Sequence, residues 1–361
     1  MNESALTPKE HMTEGKVREA LSRVLDPELG KDLVSLGMIK DISIDGDKVS
    51  FSLVLTTPAC PLKSQLEQSA RQAVLSLPGV EEVIMNVTSS VAGRRSPEAQ
   101  ALLPGVKNIV AVASGKGGVG KSTVAVNIAV ALPETGARVG LLDADIYGPT
   151  IPLLMGVNEQ PEVREGKLIP VFHDGIYLMS LGFLLSDSSP VIWRGPLVAG
   201  AVKQLLGDVK WGELDYLIVD LPPGTGDAQL TLAQSVPLTG VVIVMTPQDV
   251  ALAIASKALA MFRKMNVPVL GVVENMSYFI CPECGKRSDI FNHGGGMEVS
   301  KKLGVPFLGE VPLESSICVD GDEGTPTVSS HPNSPQAEAF KNIACATAAQ
   351  ISMLAFRNAQ K

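Results

Sequence analysis

Ten consecutive residues, Ser114-Gly115-Lys116-Gly117-Gly118-Val119-Gly120-Lys121-Ser122-Thr123, restrict this chain more than any other stretch. Ahead of them runs Ile109-Val110-Ala111-Val112-Ala113, all apolar, too short for a helix and suited to a strand buried on both faces. Behind them Val124 to Leu132 reads as a helix. Strand, glycine turn and helix in that order, with four residues between Gly115 and Gly120-Lys121-Ser122, form the layout of a phosphate-binding loop. The glycines let backbone N–H groups turn inward around an anion, and the helix N-terminus adds its partial positive charge. Lys121 can reach β- and γ-phosphates, and the Ser122 hydroxyl can ligate Mg²⁺. Nucleotide contact is expected from Gly115, Lys116, Gly117, Gly118, Val119, Gly120, Lys121, Ser122 and Thr123.

Lys116 is a second cation in a loop that already holds Lys121. Here the chain resembles the deviant-loop NTPases, which include the MinD/ParA proteins, ArsA and the nitrogenase iron protein. The resemblance implies a homodimer in which Lys116 crosses to the partner's nucleotide, the task of an arginine finger supplied in trans. A solvated loop lysine is the plainer reading.

Downstream, apolar runs alternate with helical patterns, as in an open parallel sheet. The expected fold class is therefore α/β, a P-loop NTPase with a mostly parallel sheet flanked by helices. Val139 to Leu142 ends at Asp143-Ala144-Asp145, and Tyr216 to Val219 ends at Asp220, followed by Leu221-Pro222-Pro223-Gly224-Thr225-Gly226. Ligands of such sheets bind beyond the carboxyl ends of the strands, where these aspartates fall. Asp220 ends its strand as a Walker-B aspartate does, placed to hold Mg²⁺ directly or through water. By resemblance, Asp145 orients or accepts a proton from the attacking water, Asp143 is an auxiliary aspartate on the metal side, and the Pro-Pro-Gly-Thr-Gly run is a switch that rearranges when the γ-phosphate leaves. A lone aspartate here would be a helix cap or turn former. Two further runs, Val241 to Thr246 and Val267 to Val273, flank a helical stretch from Asp249 to Met265. After them the resemblance assigns adenine contacts to Asn275 and to the backbone around Pro312.

The first ninety or so residues read separately. Thr13 is a helix cap for a pattern through Val17, Leu21, Val24 and Leu25 that stops at Asp26-Pro27. A hairpin turning at Asp45-Gly46-Asp47, a helix over residues 62–75 and a strand over residues 80–87 complete a small α+β unit of order αββαβ. It resembles the small domain of iron–sulfur assembly factors. Between strand and helix, Cys60 is either a reactive or transiently metal-binding thiol or a small buried hydrophobe. The breakers of Gly93-Arg94-Arg95-Ser96-Pro97 suggest a mobile linker. The boundaries expected are residues 1–90, a linker over 91–105, and an NTPase domain over 106–361.

Cys281-Pro282-Glu283-Cys284-Gly285 presents two thiolates to one metal or one cluster. Two are not four, and Cys318 and Cys345 lack paired spacing. The simplest route to four thiolates is the same pair from a second chain across a two-fold axis, which gives a [4Fe–4S] cluster bridging two subunits. A zinc knuckle completed with help from His293, or a purely structural or redox pair, are the competing readings. With the small domain, deviant loop and Cys-Pro-Glu-Cys in this order, the chain resembles the Mrp/ApbC group of iron–sulfur cluster carriers over nearly its full length. The resemblance implies an ATP hydrolase, slow and Mg²⁺-dependent, that takes clusters from scaffold or donor proteins and delivers them to apo-proteins.

A net charge of −8 argues against general affinity for nucleic acid or anionic membrane. No apolar run approaches membrane-spanning length, and Met1-Asn2-Glu3-Ser4 is not the start of a signal peptide. Five cysteines at irregular spacing suggest reduced thiols and a cytoplasmic chain. From Pro335 onward, Phe340, Ile343, Ala344, Ala348, Ile351, Leu354 and Ala355 share a helical face. That face fits a terminal helix docked on the sheet. It would also fit the membrane helix of a MinD/ParA-like positioning ATPase, although the cations are few. A nitrogenase-reductase-like electron donor is a third reading.

Overall fold

The computed structural model describes residues 12–59, 62–91, 93, 97–146, 148–184 and 195–359. Cys60, Arg94, Arg95, Ser96 and Tyr147 fall outside them, and with them the proposed thiol chemistry of Cys60. The chain divides into two compact units, one ending at Val91 and the other running from Ala92 to Ala359.

In the first unit Thr13 accepts the Lys16 N–H and starts α1, Glu14–Leu21. The helix stops there, short of the expected Leu25. The Asp26 carboxylate accepts the N–H groups of Glu28 and Leu29, folding the chain into a turn that leaves Leu25 61% exposed. Strands β1 (Ile39–Asp45) and β2 (Lys48–Leu55) pair antiparallel through a turn at Gly46, and Asp41, at φ 53°, marks an irregularity in their register. Helix α2 (Lys63–Leu75) then carries the chain back so that β3 (Glu82–Ser89) lies parallel to β2. Val17, Leu33, Phe51, Leu66 and Val74 fill the core beneath this sheet.

The second unit opens inside the stretch read as linker. Residues Pro97–Leu102 form α3, and Leu103 beyond it is only 3% exposed. The Gly105 carbonyl accepts the Leu214 N–H, and a Cβ at Gly207 would lie 3.3 Å from Leu102. The breakers thus end at Pro97, where apolar Leu102 and Leu103 already belong to the larger core.

Next come β4 (Val106–Ser114), α4 (Lys121–Ala131), β5 (Val139–Asp143), β6 (Val171–His173), β7 (Ile176–Ser180), α5 (Gly195–Asp208), β8 (Leu214–Asp220), α6 (Asp227–Ser235), β9 (Gly240–Met245), α7 (Asp249–Lys264) and β10 (Val269–Glu274). A two-stranded hairpin, β11 (Phe279–Ile280) with β12 (Arg287–Ser288), precedes α8 (Gly295–Leu303), β13 (Phe307–Glu310), α9 (Ser315–Asp322) and α10 (Pro335–Ala359). Among the described residues the main sheet has eight strands in the order β6-β7-β5-β8-β4-β9-β10-β13, all parallel except β6. β5, β8 and β9 are buried at every position, as the apolar runs within them require of strands covered on both faces, and Asp215 inside β8 is paired with Lys107 at 2.8 Å. The edge pair β6 and β7 and the strand β13 had no clear signal in the sequence, being short and interrupted by glycine and charge.

Helix α10 packs on α4, β10 and β13. Phe340, Ile343, Ala344, Ala348 and Ile351 are buried there, so this face is core and is not presented to a membrane. Among the described residues no helix is long and apolar enough to cross one.

Candidate functional site

In a parallel sheet the strand ends on one side gather into a row, and here that row is polar. Register pairs Ser180 with Asp143 and Asp143 with Asp220 on three neighbouring strands. Further along it pairs Met245 with Glu274 and Glu274 with Glu310.

The phosphate loop rises from β4 between these groups. Gly118 and Gly120 have φ of 75° and 76°, a conformation side chains disfavour. Gly120 is constrained twice, because a Cβ on it would sit 2.2 Å from the Asn275 amide nitrogen. That amide donates to the Val119 carbonyl at 2.8 Å, holding the loop's shape from the end of β10. At Gly115 a Cβ would collide with Ile254 at 2.4 Å. Gly117, Gly118, Gly120, Lys121, Ser122 and Thr123 line an open cavity of about 270 Å³, with Asp145 and Pro223 on its rim.

Lys121 is 6% exposed and lies among acids, its Nζ 2.5 Å from Asp220 and 3.8 Å from Asp145. The Ser122 hydroxyl donates to the other Asp220 oxygen at 2.6 Å. Two hard oxygen donors therefore converge beside a phosphate cradle, a donor set that fits Mg²⁺. Asp143 is fully engaged, accepting from Asp145 N at 3.1 Å, Ile151 N at 3.2 Å and Ser180 Oγ at 3.0 Å. Burial first, and the neighbouring Asp220 charge second, push its carboxyl up to about 7, and the three donors only partly offset this. Lys116 is held within its own chain, donating to Gln248 Oε1 at 3.0 Å. Pro312 lies in a loop stitched to the end of β10: Val311 N donates to Glu274 O and Ser277 N to Val311 O, both at 2.9 Å.

The cysteine pair sits on the tip of the β11–β12 hairpin. Cys281 N donates to Lys286 O, Gly285 N returns to Cys281 O, and Gly285 takes φ of 67°. The N–H groups of Cys284 first and Glu283 next point at the Cys281 sulfur and hold its thiol below the ordinary range. Cys281 is half-buried and Cys284 exposed. Among the described residues no histidine or carboxylate clusters with the pair as a further ligand. His293 instead lies near Glu274 and Glu310, with the Arg287 guanidinium 3.0 and 3.1 Å from its ring nitrogens.

These features have close counterparts. The model of a family described as NUBPL iron-transfer P-loop NTPase matches residues 105–348, and that of an iron–sulfur cluster assembly protein family matches residues 14–85. The chain belongs to the NUBPL iron-transfer P-loop NTPase family. Over 350 residues it is 53% identical to an iron–sulfur cluster carrier protein of Synechocystis sp., covering 95% of this chain and 99% of that one. A nucleotide-binding protein of Archaeoglobus fulgidus solved in complex with ADP is 42% identical, with a TM-score of 0.59, covering 68% of this chain and 96% of the other. The cell-division ATPase MinD of Pyrococcus furiosus, 24% identical with a TM-score of 0.50 over 66% of this chain and 96% of that one, shares the fold.

Three parts of this NUBPL-family site escaped the sequence reading. Gly321 and Asp322 of α9 line the phosphate cavity from far along the chain. Glu274, fully buried, accepts from Ser277 Oγ at 2.6 Å, from Gly294 N at 3.1 Å and from Gly296 N. It thereby fixes Gly294, the N-cap of α8, and Gly296 in its first turn. Arg287 lies 4.0 Å over the Tyr278 ring and 3.6 Å from Glu310, clamping the hairpin base to the sheet. The hint available in sequence was a glutamate closing an apolar strand.

Proposed function

We propose that this chain is an ATP-dependent carrier that binds a labile [4Fe–4S] cluster between two copies of itself and transfers it to apo-proteins, receiving it from a scaffold or donor. The observation that carries this reading is the Cys281–Cys284 knuckle at the hairpin tip, with Cys284 exposed, the Cys281 thiol held down by backbone N–H groups, and no third ligand among the described residues. Two such knuckles across a two-fold axis supply the four thiolates of a cubane cluster. The zinc reading loses its extra ligand, because the His293 ring nitrogens face Arg287. The similarity to the Synechocystis iron–sulfur cluster carrier protein supports the same assignment.

In this reading ATP occupies the cavity lined by Gly117, Gly118 and residues 120–123, with its base against Asn275 and Pro312; the similar Archaeoglobus protein was solved in complex with ADP. Ser122 and Asp220, with Asp143 behind them, would hold Mg²⁺, which draws charge off the β- and γ-phosphate oxygens. Lys121 leaves Asp220 for the phosphates. Asp145, on the cavity rim, orients the attacking water and accepts its proton, and Lys116 leaves Gln248 to reach the partner's nucleotide. Hydrolysis is slow because these pairings must first be exchanged. Residues 274–278 link the two sites: Asn275 grips the phosphate loop, Ser277 and Tyr278 bond the loop of residues 311–313, and Ser277 holds Glu274 beside the hairpin. A shift there changes the spacing of the two cysteine pairs and so traps or releases the cluster.

The small unit is a separate domain with the NTPase beginning at residue 97, and the protein works in the cytoplasm without stable membrane or nucleic-acid binding. The test is transfer. Reconstituted protein mixed with an apo-ferredoxin is expected to convert it to the holo form, and the Lys121→Ala protein to lose the nucleotide dependence. Reconstituted protein that retains its cluster in the presence of acceptor would remove the carrier role.

A further inference from the structure

Gln229 is 1% exposed, and neither its Nε2 nor its Oε1 has a hydrogen-bond partner among the described residues. Buried carboxamides are almost always paired, because the alternative forfeits hydration with nothing in return. A core position in a helix could take leucine or methionine without that loss, so the amide calls for a reason.

Its place in the chain supplies one. Gln229 is the third residue of α6, which begins immediately after the switch segment Pro222–Gly226. That segment is tied to the nucleotide site at its start and middle. Asp220 before it pairs with Lys121 and Ser122, Gly224 N donates to Ser114 O at 2.9 Å, and Pro223 lines the phosphate cavity. From the third position of a helix a glutamine side chain reaches back to the backbone N–H of the N-cap residue, closing half of a capping box. The N-cap here is Gly226, with φ −85° and ψ −179°, and the Gln229 amide does not reach it. Among the described residues, a helix start with no side-chain cap and an unpaired amide three residues on thus lie at the end of the segment read above as the switch. Gly224, at φ 105°, and Gly226 give that segment the freedom to move.

We propose that Gln229 is a positioning residue for ATP hydrolysis: its amide pairs with the switch backbone at Gly226 only when the segment closes on the γ-phosphate. The unpaired state raises the energy of the open arrangement, and the new bond holds the closed one while water attacks. This inference rests on the hydrolysis reading above.

The test is Gln229→Met, which keeps length, volume and helix preference and removes both polar atoms. A purely structural glutamine would lower the melting temperature on replacement and leave kcat per folded molecule unchanged. The proposal expects the reverse. The nucleotide-free variant should melt about 2–4 °C higher, since an unsatisfied buried amide has gone. Its kcat should fall at least about tenfold, with KM for ATP within about twofold. Hydrogen exchange gives a second readout: amides of residues 226–230 should be more protected with a non-hydrolysable ATP analogue than with ADP in the parent, and equally protected in the variant. Parental kcat in the variant, or protection that ignores the γ-phosphate in the parent, would overturn the proposal. A parent without any hydrolysis would instead sink the reading on which it rests.

Discussion

Replacing Gly120 by alanine tests the nucleotide loop at the point where two constraints meet. At φ 76° the alanine pays the left-handed penalty, roughly 1–2 kcal/mol. Its Cβ would also stand 2.2 Å from Asn275 Nδ2, so the amide must swing away from Val119 O. Losing that buried hydrogen bond costs about 1–3 kcal/mol, giving a total of about 2–5 kcal/mol. Asn275→Ala alone should cost only the hydrogen-bond part. In the double variant the collision no longer exists, so its loss should fall short of the sum of the single losses by about 1–3 kcal/mol. The assay is a double-mutant cycle on urea unfolding of the nucleotide-free protein, with titration of a fluorescent ATP analogue alongside. Strict additivity would refute the claim that Asn275 shapes the loop through contact with residues 119 and 120.

Lys116→Ala should lower hydrolysis by about 10³ to 10⁵ while ATP still binds, and mixing with Lys121→Ala subunits should restore part of the rate, because each supplies what the other lacks; parental turnover would leave Lys116 a surface cation. Because the Asp143 carboxyl is raised to about 7 from an unfolded value near 3.8, folded protein holds a proton there that the unfolded chain releases, so this group subtracts stability increasingly as pH rises from about 4 to 7 and no further above it. Asp143→Asn, measured as a difference from the parent in denaturant titrations without Mg²⁺, should therefore gain relative stability across that window, and a flat difference would refute the burial argument. A fragment of residues 97–361 should fold and bind nucleotide alone, whereas one starting at 106 should be less stable for lack of Leu102, Leu103 and Gly105; equal melting temperatures would return residues 97–105 to the linker.

The legible parts were those whose cause is local. A phosphate loop needs its glycines and Lys-Ser at fixed offsets, buried parallel strands need continuous apolar runs, and the aspartates had to close those runs to reach the site. The hairpin turn at Gly46 and the Thr13 cap were equally local. What stayed hidden depends on distant pairing. Nothing near Asn275 signals that its amide will meet Val119, and nothing near His293 signals Arg287. Leu25 fitted a helical face, yet the Asp26 carboxylate offered the backbone a competing turn. Leu102 and Leu103 lay too close to Pro97 and Gly105 to register as a helix with a buried end.

Anaerobic reconstitution followed by iron analysis and Mössbauer spectroscopy shows what Cys281 and Cys284 hold. About four irons per dimer are expected in one [4Fe–4S] cluster, lost on exposure to oxygen, and absent from Cys281→Ala and Cys284→Ala proteins that still bind ATP. One tightly held zinc per chain, unaffected by oxygen or by dissociation of the dimer, would contradict that expectation.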